Sequence, residues 1–131
     1  MLLDTHVLVW LDAGSDKLGK QARHAIETAF EAGSLAVSAI SFWELAMLQQ
    51  RGRIALPPIR TWREELLDMG LREIAVDGEI GLAAAELQDF HPDPADRLIV
   101  ATAISQDAVL VSADARILEW RGALARVDAR S

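Results

Sequence analysis

Four acidic side chains, far apart along the chain, are of the type that binds divalent metal ions when a fold brings them together: Asp4, Glu44, Asp96 and Asp114. The sequence contains no cysteine, so a metal site built from these residues would be an all-oxygen site. Oxygen ligands suit hard ions, which here means Mg²⁺ or Mn²⁺. The chemistry to consider first is therefore that of a divalent cation held by carboxylates.

Each of these acids also has a structural explanation. Asp4 and Asp114 precede predicted helices and could simply cap them, and Asp96 lies in the first turn of a helix, where the helix dipole favours an acid. Ser41 and Glu44 match the S-x-x-E capping box. Taken singly, Asp4 and Asp114 are better explained as caps, so the metal hypothesis depends on the four acids meeting.

Glu44 is the hardest of the four to explain structurally. If Ser38 caps the helix that runs to Arg51, Glu44 lies in its second turn, on an otherwise apolar surface, and needs a partner. Arg97 and Arg116 stand next to acids, but neighbouring residues on a helix point apart, so no basic partner is expected. Carboxylates about 5 Å apart repel by roughly 3 kcal/mol per pair at an effective dielectric of about 20, and a divalent cation would reverse that sign.

The elements that must position these acids alternate between strand and helix. Apolar segments predict strands at Met1–Leu3, Leu35–Val37, Leu71–Val76, Ala108–Val111 and Ala123–Val127. The most buried helix begins with Asp93 as its cap and Pro94 in its first position. This alternation is typical of a parallel sheet covered on both faces. We predict one α/β domain, residues 1–131, built as a three-layer α/β/α sandwich with a central, mainly parallel sheet of four or five strands.

The carboxyl ends of the strands in such a sheet form the usual ligand site. Asp4 follows the first predicted strand directly, and Asp114 follows the fourth with two residues between them. Glu44 lies about two turns into the helix after the second strand. Asp96 begins the helix that leads into the fourth strand, so its turn faces the same edge if the preceding loop returns there. We therefore expect all four acids at one edge of the sheet.

Composition narrows the class of protein. Apolar residues make up 51% of the 131 residues, which suits a folded domain, and no apolar run is long enough to span a membrane. Met1-Leu2-Leu3-Asp4 leaves no room for a signal peptide, so a cytoplasmic protein is expected. The net charge of −7 excludes nucleic-acid binding by a general positive field, so any phosphate must be held by local arginines or by cations. The last residues, Asp128–Ser131, are expected to be frayed.

Four segments of the chain resemble the motifs of the PIN domain, and specifically of VapC-type toxins from bacterial toxin–antitoxin pairs. The segments occur in family order and cover nearly the whole chain: Asp4-Thr5-His6-Val7-Leu8-Val9-Trp10, Val37-Ser38-Ala39-Ile40-Ser41-Phe42-Trp43-Glu44-Leu45, His91-Pro92-Asp93-Pro94-Ala95-Asp96-Arg97-Leu98-Ile99-Val100-Ala101 and Leu110-Val111-Ser112-Ala113-Asp114. Each motif alone is weak, but four in order are fairly specific. One departure is Ala95, where close relatives usually carry a bulky aromatic residue, and this would loosen the packing around the acidic loop.

The resemblance implies a metal-dependent ribonuclease that hydrolyses RNA with one or two Mg²⁺ or Mn²⁺ ions. The family's acidic positions fall on Asp4, Glu44, Asp96 and Asp114, which would be both the metal ligands and the catalytic residues. Its hydroxyl positions fall on Thr5 and Ser112, which would orient the carboxylates. Asp93 and Arg97 are further candidates for orienting the site or contacting substrate. For Arg97 we favour a pair with a neighbouring acid over a bound phosphate.

The resemblance also implies a homodimer and a cognate antitoxin that wraps around the toxin. A groove for an antitoxin helix is predicted at the apolar residues Leu45, Met47, Leu48, Trp62, Leu66 and Leu67. The alternative, that these residues fill the protein's own core, is at least as good for any one of them. For His6 and His91, a capping or solvent-facing role is favoured over metal ligation.

Three other functions remain open at this point. A receiver-type phosphoacceptor domain needs an acidic pair after the first strand and a lysine after the last, but Thr5 follows Asp4 and no lysine occurs after Lys20. A phosphatase of the D-x-D type needs a second acid where His6 stands. A catalytically silent binding module of PIN fold is compatible with the sequence, although the complete acidic set argues against it.

Overall fold

The computed structural model describes residues 1–131 and contains five strands and seven helices. The strands are β1 (Leu2–Leu3), β2 (Ala36–Ser38), β3 (Arg72–Ile74), β4 (Leu110–Ser112) and β5 (Arg126–Asp128). The helices are α1 (Thr5–Ala13), α2 (Lys20–Glu31), α3 (Ala39–Gln50), α4 (Ile59–Asp68), α5 (Gly78–Glu86), α6 (Pro94–Ser105) and α7 (Ala115–Leu118). None of these helices combines the length and the apolar character that crossing a membrane requires.

The five strands form one sheet in the order β3-β2-β1-β4-β5, and every pairing is parallel. Successive residues of a strand point to opposite faces, and the core divides accordingly. Leu3, Val37 and Val111 pack on the face covered by α1 to α4, whereas Leu2 and Leu110 pack on the face covered by α6 and α7. The predicted α/β/α sandwich with a parallel central sheet is therefore confirmed.

Helix starts agree with the sequence signals where a side chain caps the first turn. The Asp93 side chain accepts a hydrogen bond from the Asp96 main-chain N–H, and Pro94 is the first residue of α6. Ser38, not Ser41, caps α3, because its hydroxyl accepts from the Ile40 N–H. The capping-box explanation of Glu44 is therefore wrong, which leaves that carboxylate in the second turn of α3 without a capping role.

The end of the chain is the main departure from the predicted fold. The last strand is Arg126–Asp128 instead of Ala123–Val127, and Ala129 behind it is completely buried. The Ser131 carbonyl oxygen accepts hydrogen bonds from the first turn of α2, and the Ala129 oxygen accepts one from the Gly19 N–H. A side chain at Gly19 would collide with Ser131, so glycine is required where the tail passes. The expectation of a frayed end was wrong because the tail satisfies the free N–H groups of α2.

Candidate active site

All four acids singled out from the sequence line one cavity of about 370 Å³ at the carboxyl edge of the sheet. The strand register explains part of this, because Leu3 pairs with Val37 on one side and with Val111 on the other, so Asp4, Ser38 and Ser112 end their strands at the same level. The remaining lining residues are His6, Trp10, Asp93, Ala113, Arg116 and Arg130. The fold thus brings together acids that are up to 110 positions apart in the sequence.

Asp4 is held on both of its carboxylate oxygens. The Thr5 main-chain N–H donates to Oδ1 at 2.8 Å, and the Ser112 hydroxyl donates to Oδ2 at 2.7 Å. The same hydroxyl accepts from the Asp114 N–H at 3.0 Å, so Ser112 connects the acids that follow β1 and β4. Burial raises the pKa of Asp4, and these hydrogen bonds only partly oppose it. The site therefore fixes this carboxylate in position at an electrostatic cost.

Glu44 faces the same cavity from α3. Burial also raises the pKa of Glu44, an interaction with the Thr5 hydroxyl lowers it, and the Asp4 charge raises it. The Thr5 hydroxyl lies 2.8 Å from the Ser41 hydroxyl, and both side chains are completely buried. This hydroxyl pair packs α1 against α3, so Thr5 links the helix of Glu44 to the strand end of Asp4.

Asp96 is a strongly perturbed group of the cavity. Burial, followed by the charges of Asp4, Asp93, Asp114 and Glu44, raises the pKa of Asp96 to about 7. Its side chain is 12% exposed. Four like charges within reach make the ionised form costly, and a bound cation would remove that cost.

His91 is half-buried beside Asp96, so of the two expected roles, capping or solvent-facing, its contact with the Asp93 N–H agrees with capping. Its Nδ1 accepts from the Asp93 N–H at 3.4 Å, and its Nε2 lies 3.1 Å from Asp96 Oδ2. The geometry of that second contact is not that of a hydrogen bond, so Nε2 is a buried polar atom without a partner. Burial and the Arg116 charge lower the pKa of His91, which keeps the ring neutral beside the acids.

Arg116 supplies the basic partner that the sequence did not predict. Its Nη2 lies 3.1 Å from Asp114 Oδ2 and 3.6 Å from Asp96 Oδ2. The pairing is possible because Asp114 caps α7 from outside the helix, so that the Arg116 side chain folds back onto it. Burial acts to raise the pKa of Asp114, but hydrogen bonds and charge from Arg116 outweigh it, and that pKa is lowered.

The predicted role of Arg97 was wrong. It neither pairs with an acid nor faces the cavity as a phosphate ligand. Its guanidinium donates to five main-chain carbonyl oxygens, those of Ala84, Ala85, Leu87, Phe90 and His91. These bonds lie where α5 ends, at Glu86, and fix the loop before Asp93. Ala95 is buried next to this loop, and the loosening expected from its small side chain stays a prediction.

The predicted antitoxin groove was also wrong. Leu45, Trp62 and Leu66 are buried in the protein's own core, and Leu48 packs against them. Trp62 additionally donates its ring N–H to Asp12 at 2.9 Å. A different apolar groove of about 320 Å³ lies between α1, α2 and α4, and of the predicted residues it includes only Leu66.

Two cavity residues, Trp10 and Arg130, were missed in the sequence analysis. Strand register could have placed Arg130, because Ser112 pairs with Asp128, so Asp114 and Arg130 each stand two residues beyond the same level. The Arg130 guanidinium donates to the Ala113 carbonyl at 2.7 Å and lies 5.7 Å from the Trp10 ring centre. The signal was lost when the tail was interpreted as frayed.

The donor set of the cavity fits a divalent ion. Carboxylate oxygens dominate the lining, and burial together with the neighbouring carboxylates raises the pKa of Asp96 to about 7. Ligand atoms of His91, Asp96 and Asp114 lie within 4.8 Å of one another. A hard cation among these oxygens would offset the repulsion between the carboxylates.

Comparison with known proteins agrees with this geometry. The sequence matches the family model described as PIN domain over residues 1–122. The chain belongs to the PIN-domain family, and its relatives are of the VapC type. It is 41% identical over 123 residues to Ribonuclease VapC22 of Mycobacterium tuberculosis (strain ATCC 25618 / H37Rv), with 92% of each chain covered.

Two solved structures share the fold at 20% sequence identity. One is described as a toxin-antitoxin complex from Klebsiella pneumoniae, with a TM-score of 0.63 over 98% of this chain and 96% of the other. The other is VapBC2 from Rickettsia felis bound to a DNA fragment from their promoter, with a TM-score of 0.64 over 96% of both chains. At this level of identity the likeness concerns the fold.

Proposed function

We propose that this protein is a metal-dependent endoribonuclease toxin that hydrolyses RNA phosphodiester bonds in the cytoplasm and is neutralised by a cognate antitoxin. The observation that carries the proposal is the single cavity shared by Asp4, Glu44, Asp96 and Asp114. The relative named as a ribonuclease supports RNA as the substrate. Asp4, Asp96 and Asp114 would bind one or two Mg²⁺ or Mn²⁺ ions, with Glu44 bound directly or through water.

The residues of the chain itself prepare the site. Ser112 and the Thr5 N–H hold the Asp4 carboxylate in one orientation, and Ser112 also fixes the main chain at Asp114. Asp93 caps the turn that presents Asp96 to the cavity. A bound divalent ion would supply Lewis acidity and lower the pKa of a coordinated water. Hydrolysis at phosphorus would leave a 5′-phosphate and a 3′-hydroxyl.

Removal of the metal tests the activity. We expect the purified protein to cleave end-labelled structured RNA with Mn²⁺ or Mg²⁺ and to lose cleavage in excess EDTA. Cleavage should return when the ion is restored, and the products should carry 5′-phosphates. Equal cleavage in EDTA would contradict the proposal. Mn²⁺ binding without cleavage of any RNA in a broad set would instead indicate a silent binding module.

The apolar groove between α1, α2 and α4 is proposed as the antitoxin site. Its floor is apolar, with Leu8, Ile26 and Leu66, and acids line its rim: Asp12, Glu27 and Glu31. An amphipathic antitoxin helix with apolar side chains flanked by lysine or arginine would match both features. The two solved structures compared above are described as a toxin-antitoxin complex and as VapBC2, which supports such a partner.

Charged substitutions in the groove should weaken antitoxin binding. Phe30 and Met69 line it at 40% and 61% exposure, so Phe30→Glu and Met69→Glu are expected to fold and to raise the antitoxin Kd by about 100-fold, as for the loss of a hot-spot contact. Val76→Glu, at 36% exposure between β3 and α5 and outside the groove, is the matched control. Equal antitoxin binding by all three variants in calorimetry would reject this groove.

The homodimer implied by the family stays a prediction. Exposed apolar side chains on α3, α5 and α6, namely Trp43, Leu82 and Ile104, are compatible with an interface on that side of the molecule. Size exclusion with light scattering on the chain alone should give twice its mass of 14.3 kDa. A monomer at micromolar concentration would contradict the prediction.

A further inference from the structure

Arg116 is the arginine that forms ion pairs with the acidic cavity. Its Nη2 lies between Asp114 Oδ2 and Asp96 Oδ2, at 3.1 Å and 3.6 Å. Its Nε and its main-chain N–H both contact the other oxygen, Asp114 Oδ1. The side chain therefore supplies positive charge between two carboxylates that belong to the proposed metal site.

This position cannot be shared with a directly coordinated cation. Nη2 uses the same oxygens, Asp96 Oδ2 and Asp114 Oδ2, that an ion bound by both residues needs. Two positive groups would also repel each other at that distance. Binding of an ion to both acids thus requires the Arg116 side chain to leave them. The contact at the main-chain N–H can stay, because it belongs to the cap of α7.

A displaced Arg116 remains at the mouth of the cavity. Its side chain is 59% exposed and lines the cavity together with Arg130. Arg130 donates from Nη1 to the Ala113 carbonyl, lies against the Trp10 ring and forms no ion pair with Asp96 or Asp114. Arg116 would then be the free guanidinium next to the acids, with a planar set of donors suited to a phosphate.

The overall charge makes such a group necessary. With a net charge of −7, the protein has no general field that attracts RNA, so the phosphate next to the cut must be held locally. Of the other basic groups near the carboxyl edge, Arg97 donates to main-chain carbonyls on the α5–α6 side, and Lys17 lies over the Trp10 ring, 5.9 Å from its centre. Arg116 has the position and the exposure that this task requires.

We propose that Arg116 is the residue that binds the RNA phosphate, and that it is held on Asp96 and Asp114 until a metal ion takes its place. The proposal rests on the proposed function and adds to it a substrate-binding residue. Arg116 would have two opposite effects. It would compete with the metal ion in the RNA-free protein, and it would bind the RNA phosphate in the metal-loaded protein. If Arg116 only positioned Asp114, its removal would weaken both Mn²⁺ binding and RNA binding.

The variant Arg116→Gln separates these two effects. Mn²⁺ titration calorimetry on RNA-free protein should show a Kd lower by about threefold to tenfold. The effect is modest because the ion pairs that Mn²⁺ no longer has to displace are exposed, and exposed ion pairs are weak. With saturating Mn²⁺, the KM for RNA should rise about tenfold through the lost charge-assisted contact, with a smaller change in kcat. The variant keeps the main-chain bond to Asp114, so near-ultraviolet circular dichroism should match the wild type.

Arg121→Gln is the matched control, since Arg121 is exposed and forms no ion pair, and it removes the same charge. The proposal is overturned if Arg116→Gln leaves the Mn²⁺ Kd unchanged or raises it, or if the KM equals that of Arg121→Gln. Failure of the proposed function looks different, because wild-type protein would then neither bind Mn²⁺ nor cleave RNA, and that result would overturn both proposals.

Discussion

Asp4→Asn and Asp96→Asn are each expected to reduce RNA cleavage on the order of 10³-fold, which is the scale of losing one preorganised electrostatic contact at a reacting centre. Asparagine keeps the size of the side chain and removes its charge. At Asp4 the amide nitrogen of asparagine also replaces one of two acceptor oxygens. One of these oxygens accepts a hydrogen bond from the Ser112 hydroxyl and the other accepts one from the Thr5 N–H. Mn²⁺ affinity should fall in both variants, since the amide is a poor ligand for a hard ion.

The loss should not come from unfolding. Burial raises the pKa of both acids, so the folded protein tolerates a neutral group at these positions better than a charge. We therefore expect both variants to unfold at or above the wild-type temperature in EDTA, as is common where a site trades stability for activity. Thermal unfolding and RNA cleavage, measured on the same preparations, test both expectations: that stability is kept and that cleavage is lost.

Asp107→Asn is the matched control for these substitutions. Asp107 precedes β4, at the opposite edge of the sheet from the cavity, and its positive φ of 50° is one that asparagine also adopts readily. This variant should retain full cleavage. Persistent cleavage in both Asp4→Asn and Asp96→Asn, with metal binding unchanged, would reject the assignment of the site.

The sheet could be predicted because its inner strands are short, uninterrupted apolar segments. The inner strands carry apolar residues on both faces, as a parallel sheet covered on both sides requires. Examples are Leu2 in β1, Val37 in β2, and Leu110 and Val111 in β4. The edge strand β5 has a mixed sequence, and its limits depend on the burial of Ala129 and on hydrogen bonds from the tail to α2, neither of which is a local property. For that reason its position was wrong and the tail was interpreted as frayed.

The acids could be placed because strand ends and helix starts fix where their main chains lie. Long side chains were not predictable in the same way. Arg97 and Arg116 are both next to an acid in the sequence, yet one reaches back to the carbonyls at the end of α5 and the other folds onto its own cap. Their conformations depend on which unsatisfied groups the tertiary structure leaves within reach.

The predicted groove failed for a related reason. Leu45, Trp62 and Leu66 are apolar and lie on adjacent helices, but periodicity cannot show whether such a face is covered by the protein's own chain. In the structure these residues fill the core beneath α3 and α4. The open apolar surface is instead displaced toward α2, where Phe30 is left exposed beside Met69.

The acidic cavity should make the metal-free protein less stable as the pH rises. The pKa of Asp96 is about 7 in the folded protein and about 4 in an unfolded chain. Between those values the folded state keeps a proton that the unfolded state has lost, so raising the pH favours unfolding across this window and has no further effect above it. Asp4 and Glu44, whose pKa values are also raised, act in the same direction.

Two groups act in the opposite direction. Arg116 and its hydrogen bonds lower the pKa of Asp114 against the effect of burial, so its contribution is lost only as the pH falls below about 4. The lowered pKa of His91, caused first by burial, adds stability as the pH rises toward 6.5. A comparison of wild type with Asp96→Asn isolates the contribution of Asp96, because the asparagine side chain cannot take up the proton that Asp96 binds in the folded state.

After allowance for solvent screening, we expect wild-type protein in EDTA to lose about 2 kcal/mol relative to Asp96→Asn between pH 4.5 and 7.5. That corresponds to a Tm difference of roughly 8 °C for a chain of this size. Saturating Mn²⁺ should reverse the slope for wild type, since the ion binds the deprotonated carboxylates and stabilises the folded state more as the pH rises. Parallel pH profiles for wild type and Asp96→Asn, or a wild-type slope that Mn²⁺ leaves unchanged, would mean that neither the burial of Asp96 nor repulsion among these acids governs the stability of the site. In that case the reason for placing a cation among them would be lost, whatever the fold.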